Sequence, residues 1–256
     1  TALHCDADGT LWYADAYGLH RYKPQTNQDT FYDFYGNNQG YHKITWIERT
    51  KPGELRLSAL QHGLNIFHEA SGKFERLQLV ENGKEITLFN AIRTLVLSDG
   101  SEWLSTWGHG LMRLGQRNGR QQEVNRFAWY KKAIDFRYNI ASGICEFTGD
   151  DGKPMIAFAS EDAGLGFFNP QTEQFQFQTY HREVPTTLNQ NTATWIANTG
   201  DILWVSTYNG VARYDLNRQQ FVMHHFELNS MARKTEYNRA SFDQVVADPV
   251  RPGVYW

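Results

Sequence analysis

Aromatic, amide, carboxylate and histidine side chains recur at one point of a phrase that this sequence uses five times. They lie between a short apolar run and a Gly-Leu or Gly-Val dipeptide. The candidate ligand-binding residues are Tyr17, His62, Trp107, His109, Glu161, Asp162, Tyr208 and Asn209. An aromatic ring beside such polar groups can stack on a sugar ring while amides and carboxylates bind its hydroxyls. A second interpretation stays open for the aromatic members, which occupy equivalent positions: each ring could instead wedge against the next repeat.

Metal binding and catalysis find less support in the residues. His62 and His109 could coordinate a metal with Glu161 or Asp162 as an oxygen ligand, if their loops meet. However, the sequence has no His-Glu-x-x-His, no Cys-x-x-Cys and no acidic calcium-loop spacing. A Gly-x-Ser-x-Gly elbow and a phosphate-binding loop are also absent. We therefore predict no catalytic residue, no metal site and no cofactor.

Two series of glycines reveal the elements that position the candidate residues. The first-turn glycines are Gly9, Gly53, Gly100, Gly152, Gly200 and Gly253. The second-turn glycines are Gly18, Gly63, Gly110, Gly164 and Gly210. Both series repeat about every 44 to 54 residues, with short strand-like runs and turn residues between them. A period of this length without a helical apolar pattern is typical of β-propeller blades.

Each repeat predicts four antiparallel strands. Asp-Gly dipeptides at three of the first turns suit tight hairpins, because these turns need residues that tolerate positive φ. The second strands are apolar on both sides of the pleat, as expected for a blade packed between two others. The repeats lie near 1–43, 44–91, 92–143, 144–194 and 195–242, with a partial sixth at 243–256. The predicted fold is thus all-β, a single β-propeller domain over 1–256 with about five complete four-stranded blades.

Some of the predicted boundaries are less regular. We expect the fourth strand of the second repeat to run without a break from Phe74 to Val80. The longest irregular stretches are predicted at 115–123 and 227–242. Trp256 aligns with tryptophans that the other repeats are expected to bury, so a charged terminus there would be costly and the sequence is expected to be a fragment.

Composition limits the possible partners. The chain has 256 residues, of which 41% are hydrophobic, and a formal net charge of −3. This charge gives no electrostatic footprint for nucleic acid, and no run of about 18 apolar residues is present to enter a membrane. No leader sequence is visible, so a targeting segment is expected to be removed or to lie outside this sequence. Cys5 and Cys145 fall in distant repeats and are expected to be free thiols that serve as small core residues.

The repeated motif resembles a known family. The pattern Asp-Gly-x-Leu-Trp, followed by Gly-Leu and then a Pro-x-Thr turn before a phenylalanine, is clearest at 8–31 and recurs in part at 164–175. It is similar to the two-component regulator propeller repeats. That resemblance implies the periplasmic sensor part of a membrane-bound histidine kinase, often a hybrid kinase. It carries no catalytic residue to any position of this chain.

The resemblance also sets the partners that we expect. They are a small-molecule ligand, which could be an oligosaccharide, and further propeller or immunoglobulin-like domains of the same chain; a homodimer is also open. Two other functions stay open. One is a propeller enzyme of the streptogramin-lyase or lactonase type, which would need a metal and a convergent acid-base set. The other is a scaffold that uses its faces for protein contacts alone.

Overall fold

The computed structural model describes residues 2–36, 43–87, 89–131, 137–181, 188, 191–208 and 210–223. These residues form 22 strands in five sheets, and no helix occurs among them. The chain divides into two compact units. The first comprises Thr1–Thr94 and Glu102–Arg126, and the second comprises Leu95–Ser101 and Phe127–Trp256. Single-domain organisation stays a prediction.

Sheets A and B belong to the first unit and are four-stranded antiparallel meanders. Sheet A contains β1 (Leu3–Cys5), β2 (Leu11–Ala14), β3 (Gly18–Lys23) and β4 (Gln28–Asp33). Sheet B contains β5 (Ile44–Lys51), β6 (Glu54–Ala59), β7 (Gly63–His68) and β8 (Lys73–Arg76). The strand order in each sheet follows the chain order, as the repeats predict.

Sheet C has six strands instead of four, in the order β10-β9-β14-β13-β12-β11. Its strands are β9 (Gln78–Glu81), β10 (Lys84–Glu85), β11 (Asn90–Val96), β12 (Glu102–Trp107), β13 (Leu111–Asn118) and β14 (Gln121–Phe127). The unbroken strand predicted from Phe74 to Val80 is wrong. Its first part pairs with β7, whereas its second part leaves sheet B and pairs in parallel with β14.

The irregular stretch predicted at 115–123 is also wrong. It forms the end of β13, a turn, and the start of β14. Gly119 has a φ of 58° in that turn, a conformation that glycine adopts without a Cβ penalty. The other stretch predicted to be irregular, 227–242, lies outside the described residues, as does the partial sixth repeat at 243–256.

Sheets D and E belong to the second unit and are again four-stranded antiparallel meanders. Sheet D contains β15 (Ala141–Thr148), β16 (Pro154–Ser160), β17 (Gly164–Asn169) and β18 (Gln174–Gln178). Sheet E contains β19 (Ala193–Asn198), β20 (Ile202–Thr207), β21 (Gly210–Asp215) and β22 (Gln220–Met223). The prediction of five complete blades of four antiparallel strands therefore holds, with sheet C extended by β9 and β10.

The repeated motif has a local physical basis. The Asp-Gly glycines Gly9, Gly100 and Gly152 have φ values of 83°, 82° and 75°, as the predicted hairpin turns require. Two of the motif tryptophans tie the first turn of their repeat to the second strand. Trp12 Nε1 donates to Asp6 Oδ2 at 2.8 Å, and Trp204 Nε1 donates to the Thr199 hydroxyl at 2.9 Å.

The core lies between neighbouring sheets of each unit. In the first unit, one apolar cluster joins sheets A and B and another joins sheets B and C; in the second, a cluster joins sheets D and E. The second strands β6, β12 and β16 are buried on both faces, as predicted. By contrast, β2 has an alternating pattern of burial, because its described core contacts lie on the face toward sheet B.

Cys5 and Cys145 are thiols and do not form a disulfide, as expected. Cys145 is buried in the core between sheets D and E. Cys5 is exposed, so the expectation of a core role for it is wrong: it projects from the face of sheet A that the cluster with sheet B does not cover. Among the described residues, no helix is long and apolar enough to cross a membrane.

Candidate ligand-binding cleft

The structure places four of the predicted ligand-binding residues in the first unit. Tyr17 is 73% exposed, so it does not wedge against any described sheet. Its backbone N–H donates to Asp15 Oδ1 at 2.7 Å, which fixes the turn between β2 and β3. His62 instead packs edge-on against Phe34, with ring centroids 5.4 Å apart. Trp107 is half-buried at the end of β12.

His109 lies in the turn after Trp107 and is partly buried. Its backbone N–H donates to the Thr106 hydroxyl at 3.1 Å. Burial lowers the pKa of the imidazole, and the nearby Arg126 charge lowers it further. Its Nδ1 atom is buried and has no hydrogen-bond partner among the described residues. The ring is therefore neutral at physiological pH.

The remaining predicted residues belong to the second unit. Glu161 accepts a 3.4 Å hydrogen bond from the Ser142 hydroxyl, and burial raises the pKa of its carboxyl group. Asp162 is structural, because its carboxylate accepts hydrogen bonds from Trp129 Nε1, the Ser160 hydroxyl and the backbone N–H groups of residues 139 and 140. Tyr208 is half-buried after β20, and Asn209 lies outside the described residues.

A cleft of 710 Å³ lies elsewhere in the second unit, between sheets D and E. It opens on the side of the Asp-Gly turns, at the opposite ends of the strands from the predicted loops. Six amide side chains line it: Asn169, Gln176, Gln178, Asn198, Asn217 and Gln219. Each amide can donate and accept hydrogen bonds, so this lining suits a ligand with many hydroxyl groups. The volume is in the range of small-molecule sites, which is about 300–1,000 Å³.

Four carboxylates also line this cleft: Glu146, Asp150, Asp151 and Asp201. Its described lining contains no lysine or arginine. Lys153 approaches Asp151 at 3.8 Å, and both side chains are more than half exposed. The cleft therefore has an excess of hydrogen-bond acceptors and of negative charge.

Asn198 connects the two walls of the cleft. Its Nδ2 donates to the Glu146 carbonyl oxygen at 2.6 Å, which fixes the orientation of the amide. Its Oδ1 is buried and has no donor among the described residues. A buried acceptor without a donor is unfavourable, and because this atom has almost no exposed surface, a ligand can reach it only if the side chain moves.

Aromatic rings form the floor of the cleft. Phe147 contacts Phe167 edge-on with centroids 5.4 Å apart, and Phe167 contacts Tyr214 at the same separation. Phe167 and Tyr214 are only 6% and 3% exposed, so they support the polar walls instead of offering an open stacking surface. Burial raises the pKa of Tyr214, which keeps its phenol neutral.

Sequence reasoning missed the residues of this cleft. The alternating Gln-Phe-Gln-Phe-Gln of β18 was a usable signal, because it places amides on one face and aromatic rings on the other. Asn198 had no comparable signal. Its role depends on packing between two repeats that are adjacent only in the folded chain.

A second, smaller cleft lies between sheets B and C of the first unit, with a volume of 290 Å³. It is crossed by ion pairs. Arg56 from β6 binds Glu48 within sheet B and Glu102 of sheet C. Arg117 at the rim lies 3.9 Å from Glu54. The two clefts therefore differ in chemistry as well as in volume.

The five meandering sheets and their apolar junctions define the fold as a β-propeller, as predicted. Solved structures support this assignment. The Dos1 propeller matches with a TM-score of 0.58 and 13% identity over 87% of this chain and 59% of that one. No protein-family model matches the sequence. No curated protein shows significant similarity to it.

Two bacterial proteins are also similar in structure. The extracellular domain of BT4673 from B. thetaiotaomicron, which is described in one solved structure as a hybrid two component system and in another as a one component system, matches with a TM-score of 0.54 and 14–15% identity. PorZ, an essential surface component of the type-IX secretion system of Porphyromonas gingivalis, matches with a TM-score of 0.58 and 13% identity. The alignments cover 97% and 90% of this chain, which spans only 38% and 34% of those two proteins.

Proposed function

We propose that this chain is part of the extracytoplasmic β-propeller of a membrane-bound two-component signalling protein, and that it binds a small molecule in the cleft between sheets D and E. The repeated Asp-Gly-x-Leu-Trp motif and its resemblance to two-component regulator propeller repeats support the signalling role. The extracellular domain of a hybrid two component system among the similar structures agrees with it. The proposal assigns no reaction to this chain; any output module belongs to another part of the protein.

The six amide side chains that line the cleft are the observation that carries the ligand-binding part of the proposal. The cleft is large enough for a sugar of two or three rings, and Asn198 connects its two walls. Neutral oligosaccharides, which are dense in hydroxyl donors, are therefore the first ligands to test.

Ligand binding can be tested by calorimetry after a thermal-shift screen of neutral oligosaccharides. We expect Asn198→Ala and Gln176→Ala to weaken binding of a hit about tenfold or more, since each removes a hydrogen bond to a desolvated ligand. Gln174→Ala is the matched control, because Gln174 lies on the same face of β18 but outside the cleft. Equal affinity in all three variants would place the ligand elsewhere.

The extracytoplasmic location can be tested through Cys5, which is exposed while Cys145 is buried. A maleimide that crosses the outer membrane but not the inner membrane should label Cys5 in intact cells that produce the full-length protein. The Cys5→Ser variant should lose that labelling. Labelling that requires lysis of the cells would contradict the proposed location.

A further inference from the structure

The chemistry of the cleft between sheets D and E points to a rule of selection, which rests on the function proposed above. We propose that this cleft binds neutral or cationic polyhydroxylated ligands and rejects their acidic congeners. The carboxylates of the lining and the way each of them is paired carry the inference.

The negative charge of the cleft is largely uncompensated. Asp150 and Asp201 are exposed at the two turns that flank the opening, and neither makes an ion pair within the described residues. Glu146 accepts hydrogen bonds from the backbone N–H and the hydroxyl of Ser98, both of which are neutral donors. A ligand carboxylate or sulfate would thus meet like charges on both walls, and like-charge juxtaposition is costly in a binding site.

Among the described residues, two cations adjoin lining residues of the cleft, and each lies beside a carboxylate. Arg218, between the lining residues Asn217 and Gln219, has its Nε 4.0 Å from Asp215 Oδ2. The Lys153 ammonium lies 3.8 Å from Asp151 Oδ2, with 58% and 53% of the two side chains exposed. An exposed pair of this kind is screened by solvent and leaves little attraction for a ligand anion. Asp151 also accepts the backbone N–H of Lys153, so its place in the turn is structural.

The amides of the walls contribute neutral hydrogen-bonding groups. The protein fixes the orientation of two lining amides. Asn198 donates through Nδ2 to the Glu146 carbonyl oxygen, and its Oδ1 is buried. Asn169 accepts two backbone N–H groups of the following turn through its side-chain oxygen, at 2.9 and 3.1 Å, so its own N–H groups remain to donate. Such neutral donors bind a hydroxyl oxygen as well as a carboxylate, so the discrimination between the two comes from the carboxylates of the lining.

The cleft between sheets B and C shows that this character is local. Its lining includes Lys51, Arg56 and Arg117 beside its glutamates. Each of these cations is paired with a glutamate, so positive and negative charges accompany each other there, and an excess of carboxylates is not shared by both clefts. The charge of the D–E cleft is a feature of that site.

Three trisaccharides of different charge test the proposal by calorimetry at low and high salt: cellotriose is neutral, the chitosan trimer is cationic and trigalacturonate is anionic. We expect the first two to bind the wild-type chain and trigalacturonate to bind at least about tenfold more weakly than cellotriose, a difference of about 1.4 kcal/mol. High salt should narrow the gap, because exposed charges are screened.

The double variant Asp150→Asn with Asp201→Asn should reduce the discrimination severalfold. Trigalacturonate should then bind more tightly and the chitosan trimer more weakly, while cellotriose is unchanged. Glu123→Gln is the control, because it removes an exposed carboxylate of the first unit that lies outside this cleft. It should leave all three affinities as they are.

Two results would contradict the proposal, and they are distinguishable. In the first, trigalacturonate binds the wild-type chain as tightly as cellotriose, and Asn198→Ala weakens its binding. The cleft is then a ligand site without the proposed selection by charge. If none of the three trisaccharides binds, and the screen of neutral oligosaccharides gives no hit, the proposed ligand-binding function fails and the selection fails with it.

Discussion

Arg49 and Asn198 occupy the same register position in sheets B and E, opposite a leucine of the second strand. Both side chains also reach back to the preceding sheet of their unit. Arg49 binds Asp6 at 2.5–2.6 Å and Glu69 at 2.5 Å, which fills the junction between sheets A and B with charge. Asn198 makes one neutral hydrogen bond and leaves a cleft of 710 Å³ beside it. One position of the repeat is thus filled by ion pairs in one unit and adjoins a cleft in the other.

One carboxylate in each unit shows a comparable difference, which concerns its pKa. In the first unit, the hydrogen bond from Arg49 holds the pKa of Asp6 below its ordinary value of 3.8. In the second unit, Glu161 is partly buried beside a serine hydroxyl, and burial raises its pKa above the ordinary 4.5. The ionised form of Asp6 therefore contributes to stability, whereas the ionised form of Glu161 reduces it.

Arg56→Ala should cause the largest loss of stability, about 3 kcal/mol, because it leaves two carboxylates of the B–C junction without their cation. The Arg56 side chain is only 8% exposed between Glu48 and Glu102. Arg117→Ala is the matched control at the rim of the same cleft and should cost less than about 1 kcal/mol. Urea unfolding curves measure both. Equal losses of stability in the two variants would show that the buried ion pairs of Arg56 contribute no more than the ion pairs of Arg117.

Asp6→Asn should cost about 2 kcal/mol at neutral pH, because it weakens charge-assisted hydrogen bonds with Arg49. The folded-state pKa of Asp6 is lowered, so its contribution is complete above about pH 4 and disappears as the pH falls through the folded-state value. Wild type and variant should therefore converge in acid. A difference in melting temperature that stays constant down to pH 2.5 would contradict this account.

The repeats and turns could be predicted from the sequence because their signals are local. Asp-Gly at 8–9 requires positive φ at its glycine, and the strands on either side follow directly. The division of residues 74–80 between two sheets could not be read in this way, because it depends on a parallel pairing of Gln78 with Gln121. The strand propensity of these residues is the same whether they pair with β7 or with β14.

The candidate site illustrates the same limit. We predicted ligand-binding residues in the variable loops before the second-turn glycines because aromatic and polar side chains are concentrated there. Asp162 proved to be bound by its own neighbours, and His62 packs on Phe34. The cleft combines Gln176 with Asn198 from another repeat. These two residues come together only because sheet D packs on sheet E, and no spacing in the sequence predicts that packing.

Glu161→Gln should stabilise the protein at pH 7, by an amount on the order of 1 kcal/mol, the usual size of a single stabilising substitution. Because the folded-state pKa of Glu161 is raised, folding is favoured by protonation and this stability is lost as the pH rises through the folded-state value. The neutral amide removes that loss. Variant and wild type should be equally stable below about pH 4. Glu173→Gln, on an exposed turn of the same unit, is the control without effect.

Asn198→Ala should change stability least, by less than about 1 kcal/mol, although it stands at the position where Arg49 joins sheets A and B. The variant loses the hydrogen bond to the Glu146 carbonyl, but it also removes a buried acceptor that has no described donor, so the two effects offset each other. Arg49→Ala, measured beside it by urea unfolding, should cost at least twice as much because Asp6 and Glu69 are left without their cation. If the two variants lose equal stability, Asn198 is a structural link between sheets and the distinction between a filled and an open junction is wrong. If only Arg49→Ala loses stability, Asn198 is not needed to hold sheets D and E together, and its position is available for ligand binding.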